Sequence, residues 1–215
     1  MALLVRLRSK FTEWLGSAEV DARATGLESL AVDQVAPANF ERARAGKEFI
    51  WGPVNGVTGI APVAALPTTA AQWAVWNPDP YQSLVIEELG ALLVSGTAAA
   101  GVVLLACLFQ APGVAGAQAT GMQVTSASNG KSSSKVLFKS GVTLTQPLTP
   151  NWAVVAKSDS ANTAVLSVAV ENRLIAGGLI VPPGQGLGLC VLSGAGTTPL
   201  FAPYGRHFEV KADLE

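Results

Sequence analysis

Residues 89–109 read LGALLVSGTAAAGVVLLACLF, 21 residues without a charge. As a helix, such a run is long enough to cross a bilayer. As strands, it gives two apolar segments, Leu92–Val94 and Val102–Leu105, around a Ser95-Gly96-Thr97 turn signal. The flanks decide between the two. Glu87 and Glu88 precede the run and the next basic residue is Lys131, so the basic flank of a spanning helix is missing. Four residues separate Gly96 from Gly101, which breaks the spacing by which small residues pair membrane helices. The stretch reads as two buried strands joined near Ser95–Ala100, a hairpin dry on both faces. A membrane-associated protein stays as a second alternative.

A strand with one wet face alternates apolar and polar residues. Residues 89–94 and 102–109 do not alternate. Their second face must therefore lie under another sheet, under an arm, or in a subunit contact, and composition favours the last. Hydrophobic residues make up 49% of the 215, whereas charged residues are 13%, about half the usual share. Mean hydropathy is positive. The net charge of −1 provides no field that would gather nucleic acid or an anionic membrane. Residues 1–48 carry 7 of the 14 basic and 7 of the 15 acidic side chains, and stretches 49–78 and 89–130 carry none. An ordinary charged segment thus precedes an apolar body.

Within residues 1–48, Leu3, Leu7, Phe11 and Trp14 recur at three- and four-residue spacing and form one face of an attachment helix. Arg6, Arg8 and Lys10 interrupt the apolar stretch that a secretory signal would need. Ser17 reads as the N-cap of a second, weaker helical run through Leu27 and Leu30, and Asn39–Ala45 as a third closed by Gly46. Residues 49–67, FIWGPVNGVTGIAPVAALP, are studded with Gly and Pro and read as an extended arm. From residue 68 to 215, apolar runs alternate with turn chemistry such as NPDP, SNG and VPPGQG. Eight to ten short strands so punctuated make an all-β, jelly-roll-like antiparallel sandwich.

No catalytic, cofactor-binding or metal-binding set emerges. Thr125–Ser132, TSASNGKS, approaches a phosphate-binding loop. However, it lacks the first glycine and leads into an alternating strand instead of a helix, so Asn129-Gly130 reads as a tight hairpin turn. His207, the one histidine, reads as a partly exposed strand residue. Glu87 and Glu88, neighbours on a strand, should point to opposite faces, one solvated and one paired across an interface, with Arg173 as a candidate partner. Cys107 and Cys190 sit in apolar runs and read as buried free thiols, with a cross-strand disulfide as the alternative. Trp73 and Trp76, three apart, should face opposite sides. Trp76 and Tyr81 are then the aromatics that would face a glycan in a carbohydrate- or receptor-binding module, the first alternative function. Basic patches interleaved with aromatics, which nucleic-acid recognition needs, are missing.

Two stretches carry a family likeness: LPTTAAQWAVWNPDPYQSLVIEELGALLVSGTAAAGVVLLACLF and VENRLIAGGLIVPPGQGLGLCVLSGAG. Residues 66–210, which contain them, resemble small jelly-roll virion structural proteins of tailed phages and environmental viruses. In such proteins a W-x-x-(W/Y)-N strand precedes a Y-x-I strand, and a G-x-I-V-P-P-G turn leads into the last hairpin. The likeness implies a non-enzymatic virion component (capsid, capsid-decorating or tail subunit) located in the virion and without cofactor. Its partners would be itself, as a homo-oligomer that analogy with other sandwich assemblies makes trimeric, and other virion proteins. Residues 1–48 fall outside the likeness and would attach the subunit.

Overall fold

The computed structural model describes residues 22–24, 30–32, 42–54, 56–110, 117–119, 121–130, 134–144, 150–158, 161, 168–193 and 198–212; at 22–24, 30–32, 117–118 and 168–177 the description is of backbone alone. The chain divides into two compact units, Met1–Glu41 and Arg42–Glu215. The face Leu3, Leu7, Phe11 and Trp14 lies outside the described residues. Within the first unit, β1 (Ala22–Ala24) pairs antiparallel with β2 (Leu30–Val32). A small hairpin thus stands where the second helical run was expected. Gly26 sits in the middle of that run, where a helix loses about 1 kcal/mol.

The second unit is an all-β sandwich of two antiparallel sheets. Its strands are β3 (Glu48–Pro53), β4 (Ala70–Trp76), β5 (Gln82–Ser95), β6 (Val102–Gln110), β7 (Ala117–Gln118), β8 (Met122–Ser126), β9 (Leu137–Thr143), β10 (Ala153–Ser158), β11 (Val168–Val181), β12 (Gln185–Leu192) and β13 (Leu200–Lys211). One sheet has the order β11-β5-β13-β3-β8 and the other β10-β6-β12-β4-β9-β7. Among the described residues the helix content of this unit is one turn, Arg42–Arg44, closed by Gly46 at φ +67°.

The pairing is nested. β3 pairs with β13, β4 neighbours β12, β5 neighbours β11 and β6 neighbours β10, as if one long antiparallel ribbon had been rolled up. From β3 to β6, and again from β10 to β13, every connection changes sheets. That winding is the jelly roll, two interlocked Greek keys. The β6–β10 connection adds β8 outside β3 and β9 outside β4, widening both sheets.

Two expected hairpins are therefore crossovers. β5 and β6 flank the turn at Gly96 (φ +80°) but belong to different sheets and face each other across the core. Likewise Gly130 (φ +69°), whose N–H donates to Ser126 O at 3.1 Å, turns the chain from β8 in one sheet toward β9 in the other. The turn chemistry was legible, but it does not specify which strand each arm pairs with.

The expected arm is also part of the body. β3 is a central strand whose Phe49 and Trp51 are about 1% exposed. The following stretch crosses between the sheets: Ile60 bridges to Phe201 in the first, and Val63 to Leu192 in the second. Gln72 anchors its middle, donating to the Ala61 carbonyl and accepting from Val191 N–H. Residues 54–69 thus form a strap along the sandwich, and its prolines stand where sheet pairing makes no demand on their missing N–H.

The inter-sheet core holds Trp51, Trp73, Ile86, Leu89, Leu104 and Phe201. A second apolar cluster lies on the outer face of the six-stranded sheet: Leu105, Cys107, Phe109, Val142, Leu144 and Cys190. Trp152 packs against it and donates its indole N–H to Pro67 O at 2.8 Å, tying the strap to β10. β6 is therefore dry on both faces, with Leu104 and Ala106 inward and Leu105 and Cys107 outward. The missing alternation is explained within the chain.

Candidate functional site

Register assigns the faces of the five-stranded sheet. Phe49 pairs with His207, their rings stacked at 5.3 Å inside the core. Glu48 and its partner Phe208 therefore point outward. On β5, Ile86 and Leu89 are both completely buried in the core although they are three residues apart. The ladder accommodates this by a shift: His207 faces Ile86 while Arg206 faces Glu88, leaving Glu87 as an inserted residue. Glu87 and Glu88 consequently share the outer face, contrary to the expected opposition. Both are paired within the chain.

The outer face gathers five charged groups. Arg42, from the helical turn, places Nη1 2.6 Å from Glu87 Oε1 and lays its guanidinium 3.7 Å above the Phe208 ring. Arg206 Nη1 lies 3.2 Å from Glu48 Oε1, and its Nε 4.0 Å from Glu88 Oε2. Glu48 is 2% exposed, and its Oε2 has no hydrogen-bond partner among the described residues. Burial pushes the Glu48 carboxyl above the ordinary range against the pull of Arg206 and Arg42, with Glu87 adding to the rise. Three carboxylates face two guanidiniums.

His207 is on the other face of β13 and completely buried, not partly exposed. Its neighbour Phe208 points outward, so the strand's apolar side chains do not all mark one face. Both ring nitrogens lack a hydrogen-bond partner among the described residues, and Glu209 Oε1 stands 4.0 Å from Nε2.

The NPDP loop after β4 is a polar knot. Asn77 Nδ2 donates to Gln82 O at 2.7 Å and Val181 O at 3.1 Å, and Gly184 N–H donates to Asn77 O. Asp79 accepts from Tyr81 N–H and pairs with Lys135 at 3.0 Å, and these partners hold its carboxyl below the ordinary range. The loop presents Tyr81 72% exposed. Trp76, half-buried, stacks on Phe109 at 6.2 Å, while Trp73 on the opposite face enters the core. The two candidate glycan-facing aromatics are thus unequal: Tyr81 is open, and one face of Trp76 is already occupied.

Cys107 and Cys190 are buried free thiols on the outer face of β6 and β12. Burial pushes Cys107 up to about 12, with Cys190 adding to the rise, and Cys190 up to about 11. Cys190 Sγ accepts from Gln72 N–H at 3.3 Å. Among the described residues no group of three His, Cys, Asp or Glu side chains could hold a metal ion. Arg173, the expected partner of one of the two glutamates, lies where only backbone is described, opposite Leu89.

No protein-family model matches the chain, and neither characterised proteins nor solved structures give a match.

Proposed function

We propose that the chain is a non-enzymatic virion structural subunit, of the capsid shell, its decoration or the tail, that assembles through apolar contacts with copies of itself. The observation that carries this reading is the presence of exposed apolar side chains on the exterior of a jelly roll poor in charge. Leu66 is 59% and Val154 58% exposed, on the strap and on β10, the two segments that the Trp152–Pro67 hydrogen bond joins. β10 is the last strand of its sheet, so its outer edge is open to pairing among the described strands. Subunit contacts of permanent assemblies resemble a domain core cut in half, and such a surface suits them.

Light scattering of the full chain in detergent-free buffer tests the proposal. A discrete oligomer, a trimer by analogy with other sandwich assemblies, supports it, as does a larger closed particle. A monomer overturns it, as does a chain that stays dispersed only with detergent. Among the described residues no helix is long and apolar enough to cross a membrane. A second reading, a carbohydrate-binding module, draws on Tyr81, an exposed ring on a loop whose backbone is fixed by hydrogen bonds. Loss of glycan-array binding on Tyr81→Ala would favour it; a wild-type chain that binds no glycan would retire it.

A further inference from the structure

We propose that Arg42, Glu48, Glu87, Glu88 and Arg206 form a proton-operated latch that fastens the Arg42–Gly46 turn to the body, closed when Glu48 holds a proton and loosened when it is ionised. The turn is where the second compact unit begins. The proposal stands on the cluster's geometry and does not depend on the assembly reading.

Count the charges on the outer face. The turn supplies Arg42, β3 supplies Glu48, β5 supplies Glu87 and Glu88, and β13 supplies Arg206. Lys47 and Arg44 flank them on exposed backbone. On β8, the residues opposite Phe49 and Ile50 are Ser126 and Thr125, neither of them titratable. β11 carries Glu171 and Arg173, of which the backbone alone is described. His207 and Glu209 lie on the opposite face of β13. With every group ionised, the five sum to −1. One proton on Glu48 leaves two guanidiniums facing two carboxylates, Arg42 on Glu87 and Arg206 beside Glu88.

Glu48 is where that proton belongs. It is 2% exposed and its Oε2 is unpartnered, so an ionised carboxylate there lacks the hydrogen bonds that would repay its dehydration. Ionisation favours any fluctuation that admits water. The movable neighbour is the turn: Arg42 lies over Phe208, the residue opposite Glu48 in the ladder, and Lys47 N–H donates to Arg42 O at 2.9 Å. Burial has raised the folded carboxyl above its ordinary value. The closed state therefore binds the proton more tightly than the open one. Its advantage is complete below the ordinary glutamate range and is lost as pH rises through the folded value.

Hydrogen exchange on the full chain reads the latch directly. The Gly46 and Lys47 amides close the turn, donating to Ala43 O and Arg42 O. Their protection, corrected for intrinsic exchange, is expected to fall as pH is raised from below the ordinary glutamate range into mildly alkaline solution, by up to about tenfold per pH unit while the proton is released. Glu48→Gln, a neutral isostere of the closed state, is expected to keep high protection throughout. Glu87→Gln, which removes the Arg42 partner, is expected to lower it at every pH. Protection of the wild-type chain that stays constant over the range overturns the latch. So does a Glu48→Gln chain that loses protection with pH as the wild type does.

Discussion

Leu105 tests whether the second apolar face is closed by the chain itself. It is 3% exposed, beside Cys107 and Phe109 on the outer side of β6. Leu105→Ala removes three carbon atoms, a transfer loss of about 2 kcal/mol at about 0.8 kcal/mol per buried methylene. A cavity under the Trp152 cover adds to this, bringing the expected cost to about 3 kcal/mol. Val154, opposite Leu105 in the ladder but 58% exposed, provides the contrast. Val154→Ala is expected to cost under about 0.5 kcal/mol of folding stability and to weaken assembly instead. Urea unfolding of both variants, followed at two protein concentrations a hundredfold apart, separates the cases. For Leu105→Ala the loss should be the same at both. A cost below about 1 kcal/mol, or one that appears only where the chain is associated, would mean that a neighbouring subunit covers this face, and the intrachain account would be wrong.

Gly186 faces Phe109 in register, and the ring occupies the space a β-carbon would need. Gly186→Ala should therefore cost about 1–3 kcal/mol by overpacking; a melting temperature unchanged from wild type would contradict the packing described. The thiols at about 12 and about 11 should resist an alkylating reagent at about pH 8 in the folded chain and react at the unfolding rate, whereas fast labelling would show them accessible. Asp79 works in the opposite sense to Glu48. The Tyr81 N–H, then Lys135, lowers its folded carboxyl, so its stabilisation is present above about pH 4 and is lost as pH falls through the lower folded value. Asp79→Asn should be less stable than wild type near neutrality, and the gap should close as acid protonates the folded carboxyl; a gap that persists in strong acid points to lost packing.

From residue 68 onward, strand and turn positions were legible in the sequence because both are local, whereas β1 and β2 stand where a helical run was expected and β3 where an arm was. Leu92–Val94, Ser95-Gly96-Thr97 and Val102–Leu105 became strand, turn and strand. Pairing was not legible there, since a crossover and a hairpin can use the same turn residues, and only the distant β12 and β13 decide which forms. The absence of alternation in β6 signalled two dry faces correctly, but its cover was assigned to an interface because Pro67 and Trp152 lie 85 residues apart. Face assignment failed at Glu87 and Glu88 for a different reason. One inserted residue reverses the parity of everything beyond it, and the sole trace was that Ile86 and Leu89, both apolar, are separated by three positions. The ionic cluster was missed altogether. Arg42, Glu48, Glu87 and Arg206 meet only because the jelly roll lays its first strand against its last.

That winding also bears on how the chain presents itself to others. The body has few charges beyond residue 48, and the structure pairs several of them internally: Asp79 with Lys135, Glu87 with Arg42, Glu88 with Arg206, and Glu209 beside His207. Asp79 keeps little of its hydration at 7% side-chain exposure, as does Glu48 at 3%, whereas Lys135 stays open to water at 62%. The strap contributes no charge, since residues 49–78 are uncharged and Ala64, Ala65 and Leu66 within them are exposed. A surface of this kind, near zero net charge, associates readily. If the chain assembles as proposed, the exposed Leu66 on the strap and Val154 on β10 are the apolar side chains available for that contact.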